Sequence, residues 1–301
     1  MSDPLAGTEA AFARYEAVRP RLPSARFPAS SRFLPSLSQA ADHYDGFLLD
    51  AFGVLNVGEQ AIPGAVNRMA ELRARGKTLC VLSNAASYTR RGILAKYHRL
   101  GFDFTADEVV TSRDVAVARM EQVAPKAHWA VIASEDDSLE DIQANLTDAI
   151  ANPDAFDTAD AILFLSSVRW TETLQHRLSD ALAKSPRPVI VANPDLVAPR
   201  EDDLSQEPGL FAHALIDSLG TQVHWFGKPF PDAFDDAIAR TGLPAHRLAM
   251  VGDTLHTDTL GGAAAGCGTV LVARHGLFRG HDVGGYIARS GIVPDIVVET
   301  T

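Results

Sequence analysis

The feature that most constrains this chain is a change of hydrophobic period that repeats from residue 46 almost to the C-terminus. Short, mainly apolar runs at 46–50, 78–82, 129–133, 161–165, 189–192, 223–226, 248–251 and 269–272 alternate with longer amphipathic stretches. The runs read as strands buried on both faces, and the stretches between them as helices. Helix punctuation agrees. Pro63 stands at a first helical position, Ala65, Met69 and Leu72 share a face, and Gly76 stops that helix; Thr89 caps the next one, which ends near Gly101. Alternation of this kind builds a mostly parallel sheet covered by helices on both faces, so an α/β fold is expected. With 301 residues, 46% of them hydrophobic, the chain can bury one large core or two.

In such sheets ligands bind beyond the carboxyl ends of the strands. The residues just after the apolar runs are therefore the places to look for chemistry. Asp50 leaves Phe47-Leu48-Leu49, where an unpaired carboxylate is costly; a metal or a lysine would pair it, and a helix cap is the plainer alternative. Ser83-Asn84 comes after Leu82, and its hydroxyl can bond a phosphate oxygen or cap a helix. In Gly227-Lys228-Pro229, glycine permits close approach and proline fixes the chain after the lysine. Lys228 can neutralise a phosphate and a carboxylate together, or lie solvated at the surface. Asp253 and Asp258, five apart in Gly252-Asp253-Thr254-Leu255-His256-Thr257-Asp258, bracket a strand-to-helix turn, and hard oxygen ligands of this kind suit Mg²⁺.

Taken in order, these four motifs resemble the haloacid-dehalogenase-like superfamily of hydrolases over roughly residues 44–275. The fold that the resemblance implies is a Rossmann-like, doubly wound parallel sheet core with an inserted α/β cap domain. The interval between Ser83 and Lys228 is longer than a few βα units require, and it resembles class IIA, the p-nitrophenyl phosphatase and sugar-phosphatase-like subgroup, where a cap enters between the second and third motifs. The expected division is an accessory segment at 1–40, a core at 41–124 and 205–301, and a cap at 125–204. Asn193-Pro194-Asp195 is similar to a stretch near the cap–core junction of that subgroup, which makes Asn193 and Asp195 candidate substrate contacts. The resemblance also implies roles. Asp50 would be the nucleophile that forms an aspartyl-phosphate, and Lys228 would balance charge. Ser83, Asn84 and Lys228 would bind the phosphoryl group. Asp50, Asp253, Asp258 and the backbone carbonyl of Phe52 would hold Mg²⁺. The expected activity is Mg²⁺-dependent hydrolysis of a small phosphorylated metabolite.

One position departs from the pattern. Phosphatases of this superfamily usually carry an acid two residues after the nucleophile, and here that residue is Phe52. The loss falls on proton transfer, worth roughly 10²–10⁴-fold. Three readings are open: a phosphatase with a substitute group or a leaving group that needs no proton; a phosphoryl-transfer, C–P or C–halogen hydrolase; or a catalytically weak phosphate-binding or regulatory protein. Retention of Asp50, Lys228, Asp253 and Asp258 argues against the third, because a binder has no use for a nucleophile. His256 is a candidate substitute base, set against the plainer reading of a solvent-facing residue at a helix start. The locally basic stretch 274–281 reads as the mouth of the site, a surface loop or a subunit contact.

The remaining signals mostly exclude. A net charge of −11 offers no basic face for nucleic acid, and no apolar run of 18 residues would cross a membrane. The first twenty residues lack an apolar signal core, so a cytoplasmic protein is expected. Cys80 and Cys267 read as buried small hydrophobes, and 20–35 as an extended strap. No nucleophile elbow, Walker loop or dinucleotide fingerprint occurs. Self-association is left open, and the substrate's identity is not legible.

Overall fold

The computed structural model describes residues 7–200 and 203–301. Seven parallel strands form the larger sheet, in the spatial order Arg32–Ser36, Ile296–Thr300, Gly268–Val272, Leu248–Gly252, Gly46–Leu49, Thr78–Ser83, Val109–Thr111. The period of two explains why the central strands are apolar throughout. Phe47, Leu49, Val81 and Val251 enter one core with Met69, Leu72, Ile93 and Tyr97 of the covering helices. Leu48, Cys80, Leu82 and Met250 enter the other, against Val115, Met120 and Phe234. Each such side chain contributes about 1.5–3 kcal/mol on burial. A handful of them offsets the several kcal/mol per ion that buried charges at the strand ends cost.

Five parallel strands form a second sheet, in the order Val223–Trp225, Val189–Val191, Ala161–Phe164, His128–Ile132, Asn145–Asp148. It is inserted after helix Ser112–Val123 and returns to the larger sheet through Gly227 and Lys228. Helix Pro208–Leu219 packs on it through Ala212 and Leu215, and its edge strand is Val223–Trp225. Both lie beyond residue 204, where the sequence division places the end of the cap. Parallel strands carry the same apolar signature whichever sheet they join, so pattern alone cannot assign 223–226. The other face of this sheet shares a core with the larger one, through Trp129, Val131, Leu163 and Ile190.

Arg32–Ser36 brings part of the expected accessory segment into the larger sheet as an edge strand beside Ile296–Thr300. Its Pro35 and exposed Phe33 hide it from pattern reading, and both suit an edge. Helix Thr8–Val18 buries Phe12, Tyr15 and Val18 against Leu255, Leu260 and Phe278. The first helix after Asp50 runs Ala65–Ala74 behind Gly64 at φ +87°, so Pro63 precedes the cap instead of opening the helix. Thr89 caps Arg90–Arg99, its hydroxyl accepting from the Gly92 amide at 3.2 Å. Cys80 and Cys267 are buried and free.

Candidate active site

Gly46–Leu49 and Leu248–Gly252 are neighbours at the centre of the larger sheet, and the Asp50 amide donates to the Val251 carbonyl at 2.9 Å. Asp50 and Asp253 therefore leave the sheet side by side. After Asp253 the chain makes one wide, π-type turn, Leu255–Thr259, which brings Asp258 back toward the strand ends. The Thr254 amide donates to Asp258 Oδ2 at 3.0 Å, its hydroxyl to Asp253 Oδ1 at 3.0 Å, and the Leu277 amide to Asp253 Oδ2 at 2.7 Å. Two glycines make room for these carboxylates. A Cβ at residue 252 would stand 2.0 Å from Asp258 Cγ, and one at residue 276 would stand 1.8 Å from Asp253 Oδ2.

Lys228 Nζ lies 2.6 Å from Asp50 Oδ1 and 2.7 Å from Asp258 Oδ1. One oxygen from each of Asp50, Asp253 and Asp258 falls within 4.8 Å of the others. Three carboxylates against one ammonium leave two negative charges uncompensated, and an all-oxygen donor set of that charge fits a hard divalent cation. The acids register the deficit. Burial raises the Asp50 carboxyl to about 8 against the pull of Lys228, with Asp258 and Asp253 adding to the rise. Burial also raises Asp253 to about 7, Asp258 again adding. Burial alone would lower Lys228, but Asp258, Asp50 and Asp195 outweigh it and hold the ammonium above the ordinary lysine range. Lys228 and Asp258 keep only 2% of their side chains open, whereas Asp50 keeps 13%. That opening faces a cavity of about 580 Å³.

The opposite wall comes from the end of Thr78–Ser83 and from the cap junction. Ser83 Oγ accepts from the Ala85 amide at 3.2 Å. Asn84 ties three segments together: Oδ1 accepts from the Lys228 amide at 2.7 Å, and Nδ2 donates to the Lys228 carbonyl at 3.0 Å and to Asp195 Oδ1 at 2.9 Å. Both amide hydrogens of Asn84 are thus committed to protein acceptors. Asn193 accepts from the Asp195 amide at 3.0 Å and donates to Glu207 Oε2 at 3.0 Å. Ser83, Asn84, Asn193, Asp195 and Asp253 all line the cavity with Asp50.

Phe52 also lines it, half-buried, and is bridged to Asn56 within the turn after Asp50. Two cations flank its ring, Lys96 Nζ and Arg200 Cζ, each 5.4 Å from the centroid. His256 takes neither of its expected places. It is fully buried, stacked on Tyr15, and its Nε2 donates to Glu16. Burial lowers the imidazole to about 4, against the pull of Glu16, and the ring faces the N-terminal helix away from the cavity. The partner that draws it inward lies 240 residues away in sequence. Stretch 274–281 meets the site through the Leu277 amide and the closeness of Gly276 to Asp253; its basic side chains are not what contacts the acid. Arg200, Thr254 and Leu277 carry no sequence signal of their own; Gly276 was the one available clue.

Comparison with known proteins agrees with this arrangement. A haloacid dehalogenase-like hydrolase family matches residues 47–146, and a HAD-hydrolase-like family matches residues 225–300. Human chronophin is 30% identical over 268 residues, covering 85% of this chain and 90% of that protein. A possible sugar phosphatase of the HAD superfamily from Cytophaga hutchinsonii superposes with a TM-score of 0.78 at 27% identity, over 90% of this chain and 98% of the other. A p-nitrophenyl phosphatase from Archaeoglobus fulgidus gives 0.70 at 26%, over 85% and 96%. Among the described residues, no helix is long and apolar enough to cross a membrane.

Proposed function

Because the chain belongs to the haloacid dehalogenase-like hydrolases, in the capped class IIA group of phosphatases, we propose that it is a Mg²⁺-dependent phosphatase of small phosphorylated metabolites acting through an aspartyl-phosphate on Asp50. The observation that carries this reading is the opening of Asp50 onto the cavity while Lys228 and Asp258, which flank it, stay closed. Two donors on one oxygen, the Ala51 amide at 2.7 Å and Lys228 Nζ at 2.6 Å, orient its carboxylate for attack on phosphorus. Lys228 also offsets the charge that builds on the transferring group, and the Ser83 hydroxyl bonds a phosphoryl oxygen. Asp253, Asp258, Asp50 and the Phe52 carbonyl would hold the metal. A bound magnesium would supply positive charge to offset the charge of the transferring phosphoryl group. Covalent capture on Asp50 then divides a slow displacement into two faster ones.

The cavity is closed on one side by the cap junction, which suits a small substrate. The names of two similar structures, a p-nitrophenyl phosphatase and a possible sugar phosphatase, point the search toward phosphate monoesters. Purified protein with Mg²⁺ should release phosphate from members of a panel of phosphorylated metabolites and from p-nitrophenyl phosphate. It should also carry a hydroxylamine-labile phosphate during turnover. Phosphate and Mg²⁺ binding without turnover of any ester would overturn the reading in favour of a binding protein.

A further inference from the structure

Phosphate esters with poor leaving groups need a proton at the bridging oxygen as the P–O bond breaks, and the side chain two residues after Asp50 has none to give. Other acid and base groups on or near the cavity wall, outside the nucleophile and the metal set, are few. Lys228 is committed to Asp50 and Asp258. Glu207 has both oxygens engaged, Oε1 by Ser205 and Arg200 and Oε2 by Asn193. Asp136 is exposed at the rim. His256 lies outside the cavity, bonded to Glu16. Asp195 remains.

Its position is tightly determined. Pro194 is packed so close to Gly227 that a Cβ there would stand 2.5 Å from Pro194 Cδ. The Asp195 amide is held by Asn193, and the next amide, of Leu196, donates to the Tyr15 hydroxyl at 3.1 Å. Asn84, which reads the Lys228 backbone with the same side chain, donates to Asp195 Oδ1. Among the described residues no hydrogen bond occupies Oδ2, and the residue is partly open on the cavity wall.

We propose that Asp195, delivered from the cap–core junction, is the general acid and base of the hydrolysis. The inference rests on the phosphatase reading above. In the first step Asp50 bonds to phosphorus while the bond from phosphorus to the leaving oxygen breaks. The electron pair stays on that oxygen, which takes the Asp195 proton and departs as an alcohol. In the second step the Asp195 carboxylate takes a proton from water as the water oxygen bonds to phosphorus. The bond from phosphorus to the Asp50 oxygen breaks, and inorganic phosphate leaves with Asp50 ionised and Asp195 protonated again. Burial holds the Asp195 carboxyl well above the ordinary range, with the Asp50 charge adding to the rise against Lys228 and Asn84, so it retains the proton that the first step requires. The substrate class widens accordingly to alkyl and sugar phosphates.

Asp195→Asn keeps the shape and an acceptor for Asn84 but has no acidic proton. Turnover of alkyl phosphates should fall by roughly 10²–10⁴-fold, whereas the first turnover of p-nitrophenyl phosphate, whose leaving group needs no proton, should stay within about threefold of wild type. The second step should then limit, giving a burst of p-nitrophenol equal to the enzyme concentration and then slow release. Inhibition by inorganic phosphate and the thermal midpoint report that the site is intact. An equal fall on all esters without a burst, or no fall at all, would overturn the role of Asp195 while leaving a working phosphatase. Wild-type protein inert toward p-nitrophenyl phosphate would instead bring down the phosphatase reading and this inference with it.

Discussion

Arg113 and Lys228 are both buried cations set between aspartates, and the contrast between them separates packing from chemistry. Arg113 uses every donor it has. Nε and Nη2 grip Asp141 at 2.8 and 2.7 Å, Nη1 takes Asp137 at 2.7 Å and the Ala86 carbonyl at 3.0 Å, and Nη2 also reaches the Ser138 carbonyl at 2.8 Å. Its side chain is wholly closed off, and the cluster pins helix Ser112–Val123 to the loop after the second sheet's strand His128–Ile132. Lys228 faces three aspartates of which one stays open, and a fourth, Asp195, adds its field. A cluster whose donors and acceptors match has no use for a ligand. One in which three crowded carboxylates share a single ammonium, with carboxylate oxygens left over, invites a cation from outside.

The largest expected effect falls on the unmatched cluster. Asp50→Asn should lower p-nitrophenyl phosphate hydrolysis by at least roughly 10³-fold and abolish the hydroxylamine-labile phosphate, because the amide is no nucleophile. The same change removes one of three crowded acids, so the metal-free protein should melt no lower than wild type. Near-normal turnover would remove the nucleophile from the comparison altogether.

Arg113→Met reverses the roles. It strands the buried Asp137 carboxylate, leaves the partly open Asp141 unpaired, and should cost about 3–5 kcal/mol in urea unfolding, while kcat of the folded fraction changes little. A cost under about 1 kcal/mol would mean the matched cluster is ornamental.

A smaller effect tests the charge deficit directly. Asp50 and Asp253 have folded-state values raised to about 8 and about 7, above the ordinary carboxylate range. Between the unfolded and folded values the folded chain binds more protons, so stability is present at low pH and lost as pH rises through the raised values. The metal-free protein should therefore lose stability from about pH 4 to pH 8. Mg²⁺ should restore roughly 1–3 kcal/mol, more at pH 8 than at pH 5. Thermal midpoints in EDTA and in excess Mg²⁺ at both pH values measure this. Equal Mg²⁺ stabilisation at the two values would sever the metal from these acids.

The matched and unmatched clusters were not equally legible. Asp50, Ser83, Lys228 and Asp253 each come just after an apolar run, so the strand-end rule finds them from pattern alone, and Asp258 is found by its spacing to Asp253. Arg113 sits in the first turn of helix Ser112–Val123, and nothing local announces five satisfied donors. The same limit hid the bond from Asn84 to Asp195, the pairing of Val223–Trp225 with Val189–Val191, and the Glu16 partner of His256. Each depends on which distant segment arrives, and a one-dimensional pattern does not carry that.

The smallest expected effect concerns Phe52. If an acid two residues after the nucleophile were all the site lacked, Phe52→Asp would accelerate alkyl phosphate hydrolysis greatly. The surroundings argue otherwise. Lys96 and Arg200 stand 5.4 Å from the ring on which they rest, and a carboxylate put in place of the ring would ion-pair with one or both. Cations that close favour the ionised form and lower the carboxyl's readiness to donate a proton. The new side chain is also shorter than the ring, so Lys96 and Arg200 lose an aromatic platform worth about 0.5–1 kcal/mol each. Phe52→Asp should therefore change alkyl phosphate turnover by less than about tenfold in either direction, and should rescue Asp195→Asn only weakly. Kinetics of the single and double variants on one alkyl and one aryl phosphate decide it. Strong rescue would make residue 52 a vacant acid position, whereas weak rescue is expected of a position that its two cations have already turned to another use.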